Sequence, residues 1–110
     1  MSKASYFQRG ETLDYTNSGS KAIEAGEVIV VGKRIGIAAT LIKPGQIGTV
    51  DVVGVFHMPK ATGAITMGAP VYWSAASGNI TTTDTGNVLA GFAAAAAGSD
   101  DTEVLVKINA

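Results

Sequence analysis

Two runs, Ile23-Glu24-Ala25-Gly26-Glu27-Val28-Ile29-Val30-Val31 and Val50-Asp51-Val52-Val53-Gly54-Val55-Phe56-His57-Met58, decide the fold. They are the densest β-branched segments of the chain. Val and Ile are stiff at χ1 and suit a pleated surface better than a helix. Lys43-Pro44-Gly45-Gln46 separates them as a turn, because proline presets φ and glycine accepts the left-handed position. Side-chain alternation predicts one strand over 49–58. Val50, Val52, Phe56 and Met58 lie on one face, and Thr49, Asp51, Val53, Val55 and His57 on the other. Gly54 marks a bulge or a close approach. Val28 to Val31 is apolar on both faces, which predicts a strand between two layers or at a subunit contact.

Outward from these runs, one theme recurs. Ile23, Ile42 and Ile65 each stand three residues before a glycine, Gly26, Gly45 and Gly68, and each segment resumes with a β-branched residue. The separations are too irregular for a solenoid, so the pattern reads as one hairpin-like turn device used repeatedly. Leu13 to Asn17, Val71 to Ser74, Ile80 to Thr83 and Val104 to Ile108 read as further strands bounded by turn residues. In the last of these, Val104, Val106 and Ile108 face in, and Glu103, Lys107 and Asn109 face out. The alanines at 93–97 favour a helix by propensity, but Gly91 and Gly98 leave the window too short for one. A strand whose small side chains admit another backbone is expected instead. The fold class is therefore all-β, a small barrel or sandwich with short hairpins and little or no helix. The organisation is an extended N-terminal arm over 1–9 and a single β domain over 10–110.

Composition narrows the function. The 110 residues suit one domain. Only 15% are charged, against about 25% for an ordinary soluble domain. That shortage points to surface covered by partners and hence to an oligomer. A formal net charge of −1 provides no basic field for nucleic acid. There is no cysteine, which excludes disulfides and thiolate zinc sites and fits synthesis in a cytoplasm. The first residues lack the apolar core of a secretory signal, and no run approaches the ~20 apolar residues of a membrane span.

Candidate chemistry fails on spacing. Gly26 to Arg34 superficially suggests a phosphate loop. However, it has five residues between its glycines, and Arg34 stands where the magnesium-binding hydroxyl belongs. His57 is the only histidine, so it lacks partners for a metal site. Asp51, the acid on its face, is expected about 20 Å away along an extended strand. Asp84, Asp100, Asp101 and Glu103 lack the alternation of a calcium loop, and Glu11 and Asp14 resemble turn residues. Tyr72 and Trp73 point to opposite faces as strand neighbours, one to core and one to surface. No enzyme, metal or cofactor is expected.

The whole chain nevertheless resembles the bacteriophage capsid cement, or head decoration, proteins. The likeness is carried by Gly10-Glu11-Thr12-Leu13-Asp14-Tyr15-Thr16-Asn17, Ile23-Glu24-Ala25-Gly26-Glu27-Val28, Gly36-Ile37-Ala38, Gly54-Val55-Phe56 with Pro59-Lys60-Ala61, Gly68-Ala69-Pro70-Val71-Tyr72-Trp73 and Leu89-Ala90-Gly91-Phe92-Ala93. The order and spacing of these segments are specific, although no single one is. The resemblance implies a structural virion protein, made in the host cytoplasm and bound to the capsid exterior. Its implied partners are the major capsid protein and other copies of itself in a homotrimer, with neither nucleic acid nor membrane involved. It brings no catalytic residues. Contact with the capsid or a sister subunit is expected of the arm, through Tyr6, Phe7 and Arg9, because an extended segment can add to a sheet edge. Two other readings are a surface β module that binds carbohydrate through Tyr72 or Trp73, and a β-clip-like accessory domain suggested by Ala25-Gly26-Glu27-Val28.

Overall fold

Nine strands carry the regular structure of residues 2–110, the part of the chain that the computed structural model describes. They are β1 (Thr12–Thr16), β2 (Val28–Val31), β3 (Arg34–Ala38), β4 (Ile47–Asp51), β5 (Val55–Pro59), β6 (Pro70–Ser74), β7 (Asn79–Thr81), β8 (Val88–Ala93) and β9 (Glu103–Ile108). All pair antiparallel in two sheets, ordered β1-β4-β3-β2 and β5-β9-β8-β6-β7. The described residues contain no helix. The all-β expectation holds, and the arrangement resembles a sandwich more than a closed barrel. No helix of the described residues is long and apolar enough to cross a membrane.

The expected strand over 49–58 is in fact two strands. The chain leaves the first sheet after Asp51 and enters the second at Val55, with Gly54 at φ 134° between them. Positive φ is open to glycine at little cost, so the alternation breaks where the chain changes sheets. β8 ends at Ala93, and Ala97 forms an isolated bridge with Ile65. Asn109 does not face out as a strand residue; it turns to φ 57° and binds back onto the first sheet.

The Ile-x-x-Gly segments pair with one another. Ile23 and Ile42 exchange two backbone hydrogen bonds, of 2.9 and 2.8 Å, which sets their turns side by side. Ile65 makes the same exchange with Ala97, at 2.9 and 2.8 Å, so the device has a fourth member hidden in the alanine run. In the three recognisable turns a glycine takes positive φ: 91° at Gly26, 80° at Gly45 and 87° at Gly68. The fourth has no such glycine. There the Asp101 carboxylate accepts the Gly98 N–H at 2.7 Å and holds the turn from its side chain.

These pairings expose an internal repeat. β1-β4-β3-β2 and β5-β9-β8-β6 have the same order, and the same register up to an irregularity between Val71 and Tyr72 where β6 meets β8. Leu13 opposes Val50 as Phe56 opposes Val106, and Ile29 opposes Gly36 as Val71 opposes Gly91. Equivalent stretches retain a trace of common sequence, Gly36-Ile37-Ala38-Ala39 against Gly91-Phe92-Ala93-Ala94. The first half spans 12–52 and the second 55–108, with β7 as an addition to the second.

Core packing follows the repeat by compensation. Ile42 lies over Gly48, where any Cβ would overlap the isoleucine side chain. The equivalent positions in the second half hold Ala97 and Val104, both buried. The two pairs carry the same number of side-chain carbons, exchanged between partners. Ile29, Ala38, Ile42 and Val50 form the core of the first half. The larger core gathers Met58, Val71, Trp73, Ile80, Val104, Val106 and Ile108 of the second sheet, with Ile35 and Ile37 reaching in from β3.

The two buried polar side chains are also equivalent, Asn17 after β1 and Lys60 after β5. Asn17 Nδ2 donates to the carbonyls of Lys21 and Ile42 at 2.8 and 2.9 Å. Lys60 Nζ donates to those of Ala61, Asp101 and Ser99 at 2.8, 3.2 and 3.4 Å, using all three of its donors. Each ties its strand end to the paired turn beside it.

Two outcomes are expected in denaturation experiments. Ile42→Ala costs about 2–5 kcal/mol through a cavity, and Gly48→Val about 1–3 kcal/mol through overpacking. The double variant, which copies Ala97 and Val104, recovers about 1–3 kcal/mol of their sum. Lys60→Met strands three carbonyls and costs about 2 kcal/mol, whereas Lys43→Met on an exposed turn stays within about 0.5 kcal/mol.

Candidate functional site

Residues 2–9 run ahead of β1 without regular structure, and every one of them is exposed. Tyr6 is 81% and Phe7 89% exposed, values that place both rings wholly in water. Gln8 Nε2 donates to the Thr12 carbonyl at 2.8 Å, anchoring the arm root to β1. Arg9 is exposed as well. The three residues expected to make contacts thus stand together on the arm, away from both cores. Met1, which belongs to the expected arm, lies outside the described residues.

Three of the open clefts bear on chemistry or apolar binding. The first, about 580 Å³, lies between the β2–β3 turn and β8 and combines Lys33, Arg34, Tyr72, Asp84 and Asn87. A second, about 380 Å³, is lined by Asp51 and His57 among others. These two were expected far apart on one strand; the chain's passage between sheets at Gly54 brings them to one cleft instead. Neither makes a side-chain hydrogen bond among the described residues, so nothing orients His57 as a base requires. No group of three His, Asp or Glu among the described residues could hold a metal ion. The third cavity, about 290 Å³, is mainly apolar, with Leu13, Val31, Ile35 and Val52 around it and Arg34 and Asn109 at its edge.

Of the aromatic pair, Trp73 goes to the core at 9% exposure and Tyr72 is half-buried. More unexpected are the apolar side chains at the turns. Ile47 is 70%, Met67 72% and Leu41 53% exposed. Ile47 stands outside because the inward positions of β4 are Gly48 and Val50, and Ile42, before the turn, fills the space over Gly48. The sequence signal was the glycine at 48, too small to be the inward residue of a strand unless a neighbour occupies its place.

Exposed apolar turns and an exposed aromatic arm are surfaces suited to contact with other proteins. Comparison by sequence agrees: a family model described as phage cement protein matches residues 7–108. The chain belongs to the phage cement protein family. No curated protein and no solved structure matches it significantly. Membership makes this a structural phage protein with a capsid-stabilising role, associated with the virion capsid. The match begins at Phe7, so it takes in the end of the arm as well as both halves of the body.

Proposed function

We propose that this cement protein binds the outer surface of the mature head as a homotrimer and braces the shell against the pressure of packaged DNA. The observation that carries the proposal is the family match over residues 7–108, nearly the whole chain. Support comes from the low charge content and from the exposed apolar side chains of the arm and turns. The partner is the major capsid protein, and strength comes from avidity. Each trimer engages several shell subunits at once, so modest contacts add up without a deep pocket. Tyr6, Phe7 and Arg9 act in these contacts, either on the shell or between copies. The carbohydrate-binding alternative is weaker because Trp73, the better stacking ring, is buried in the core.

Purified protein sedimented with expanded, undecorated heads should saturate at a copy number set by the symmetry of the shell, and should leave unexpanded precursors bare. Deleting residues 2–9 should weaken that binding by about tenfold or more, since two aromatic contacts per copy are lost. Failure of the native protein to bind either shell would remove the proposal, and quenching of tryptophan or tyrosine fluorescence by added glycans would favour the alternative.

A further inference from the structure

The repeat shows that the first half is an unfinished version of the second. At equivalent positions of the two inner faces, the second half has Phe56, Trp73 and Ile108, and the first has Leu13, Val31 and Val52. Phe56 packs against the larger core and Trp73 belongs to it. In the first half the smaller side chains leave the open, mainly apolar cavity of about 290 Å³. Leu13, at its edge, stays 42% exposed. The covering strand is missing as well. β7 pairs with the outer edge of β6, whereas β2, the equivalent of β6, ends its sheet with that edge unpaired.

We propose that this cavity receives Phe7 from the arm of a second copy, with the arm lying along the free edge of β2. An aromatic ring is what the second half places there, and Phe7 is an exposed aromatic ring that packs on nothing among the described residues. Successive side chains of an extended segment point to opposite sides, so Phe7 enters while Tyr6 faces out. Arg34 at the rim is placed to cover the ring face with its guanidinium. Residues 2–9 carry Lys3 and Arg9 and no acid, against six Lys/Arg and nine Asp/Glu in the rest of the chain, a weak long-range attraction between copies.

The topology selects a neighbouring copy over the chain's own arm. The arm leaves from β1, and β2 is the far edge of the same sheet. Each copy therefore offers an arm at one edge and an unpaired strand edge at the other, with the cavity between Leu13 of β1 and Val31 of β2; such a head-to-tail contact forms a ring where the rotation closes. One ring side chain buries about 150–250 Å², well below the ~1,200 Å² of a stable interface. Single junctions are weak, and closure of the ring makes them hold together.

The absence of cysteine from the chain gives a clean test on the isolated protein, independent of any shell. Phe7→Cys and Val31→Cys proteins, prepared separately and mixed under mild oxidation, should form a disulfide-linked heterodimer. Phe7→Cys mixed with Lys43→Cys should not. A chain carrying both Phe7→Cys and Val31→Cys that links only within itself would overturn the second-copy assignment, and so would equal linking to Lys43→Cys. Sedimentation equilibrium covers the chance that Val31→Cys disturbs β2. Phe7→Ala in the otherwise native chain should weaken self-association by about tenfold or more. A native protein that stays monomeric at its highest soluble concentration, or a Phe7→Ala variant that associates as well as native, would overturn the proposal.

Discussion

The two sheets are held together at Asn109. Its Nδ2 donates to the carbonyls of Ile35 and Val52 at 2.8 and 2.9 Å, and its Oδ1 accepts the Ile35 N–H at 3.3 Å. Its own backbone N–H reaches the Ala90 carbonyl of the second sheet at 2.7 Å. One side chain thereby satisfies β3 and the exit of β4 while its backbone stays with β8. The geometry requires positive φ, and Asn is among the few residues that adopt it readily. With β3 fixed, Ile35 and Ile37 enter the larger core, and the sandwich is closed by apolar burial.

The repeat explains how 110 residues with few charges build two cores from one plan. Each half turns its strands around a paired-turn device and anchors it with one buried polar side chain, Asn17 or Lys60. The halves then diverge. The second adds β7, with Ile80 fully buried, and large aromatic side chains. The first leaves Tyr15, Ile23, Val31 and Val52 only partly covered around its small core. A protein that acts by contact can leave one core open where a partner will close it.

The sequence made the strands legible but not their division between sheets. β-branched runs and turn residues located β1, β2, β6 and β9 well, since these depend on local propensity. Gly54 reads in sequence as a bulge or a close approach and not as a break, because alternation continues in number across the gap while the backbone changes sheets. The fourth turn was invisible: Ala97 shares no side-chain signal with Ile42, and Asp100 stands where the other three turns have glycine. Lys60 gave no sign of burial either. Its three acceptors are carbonyls from distant turns, which only the fold brings together. The cavity between β1 and β2 gave no sequence signal, because a cavity comes from what Leu13 and Val31 fail to fill.

Family membership supplies the capsid role, and the structure adds an asymmetric body, with one half finished and the other open. Native-state hydrogen exchange followed with protein concentration tests this account most directly. In dilute protein, amides of β1 and β2 should exchange much faster than those of β6 and β9, which lie over the filled core. On concentration, protection should rise at β2 as arms from other copies cover its edge. Equal protection in the two halves, unchanged by concentration, would contradict it.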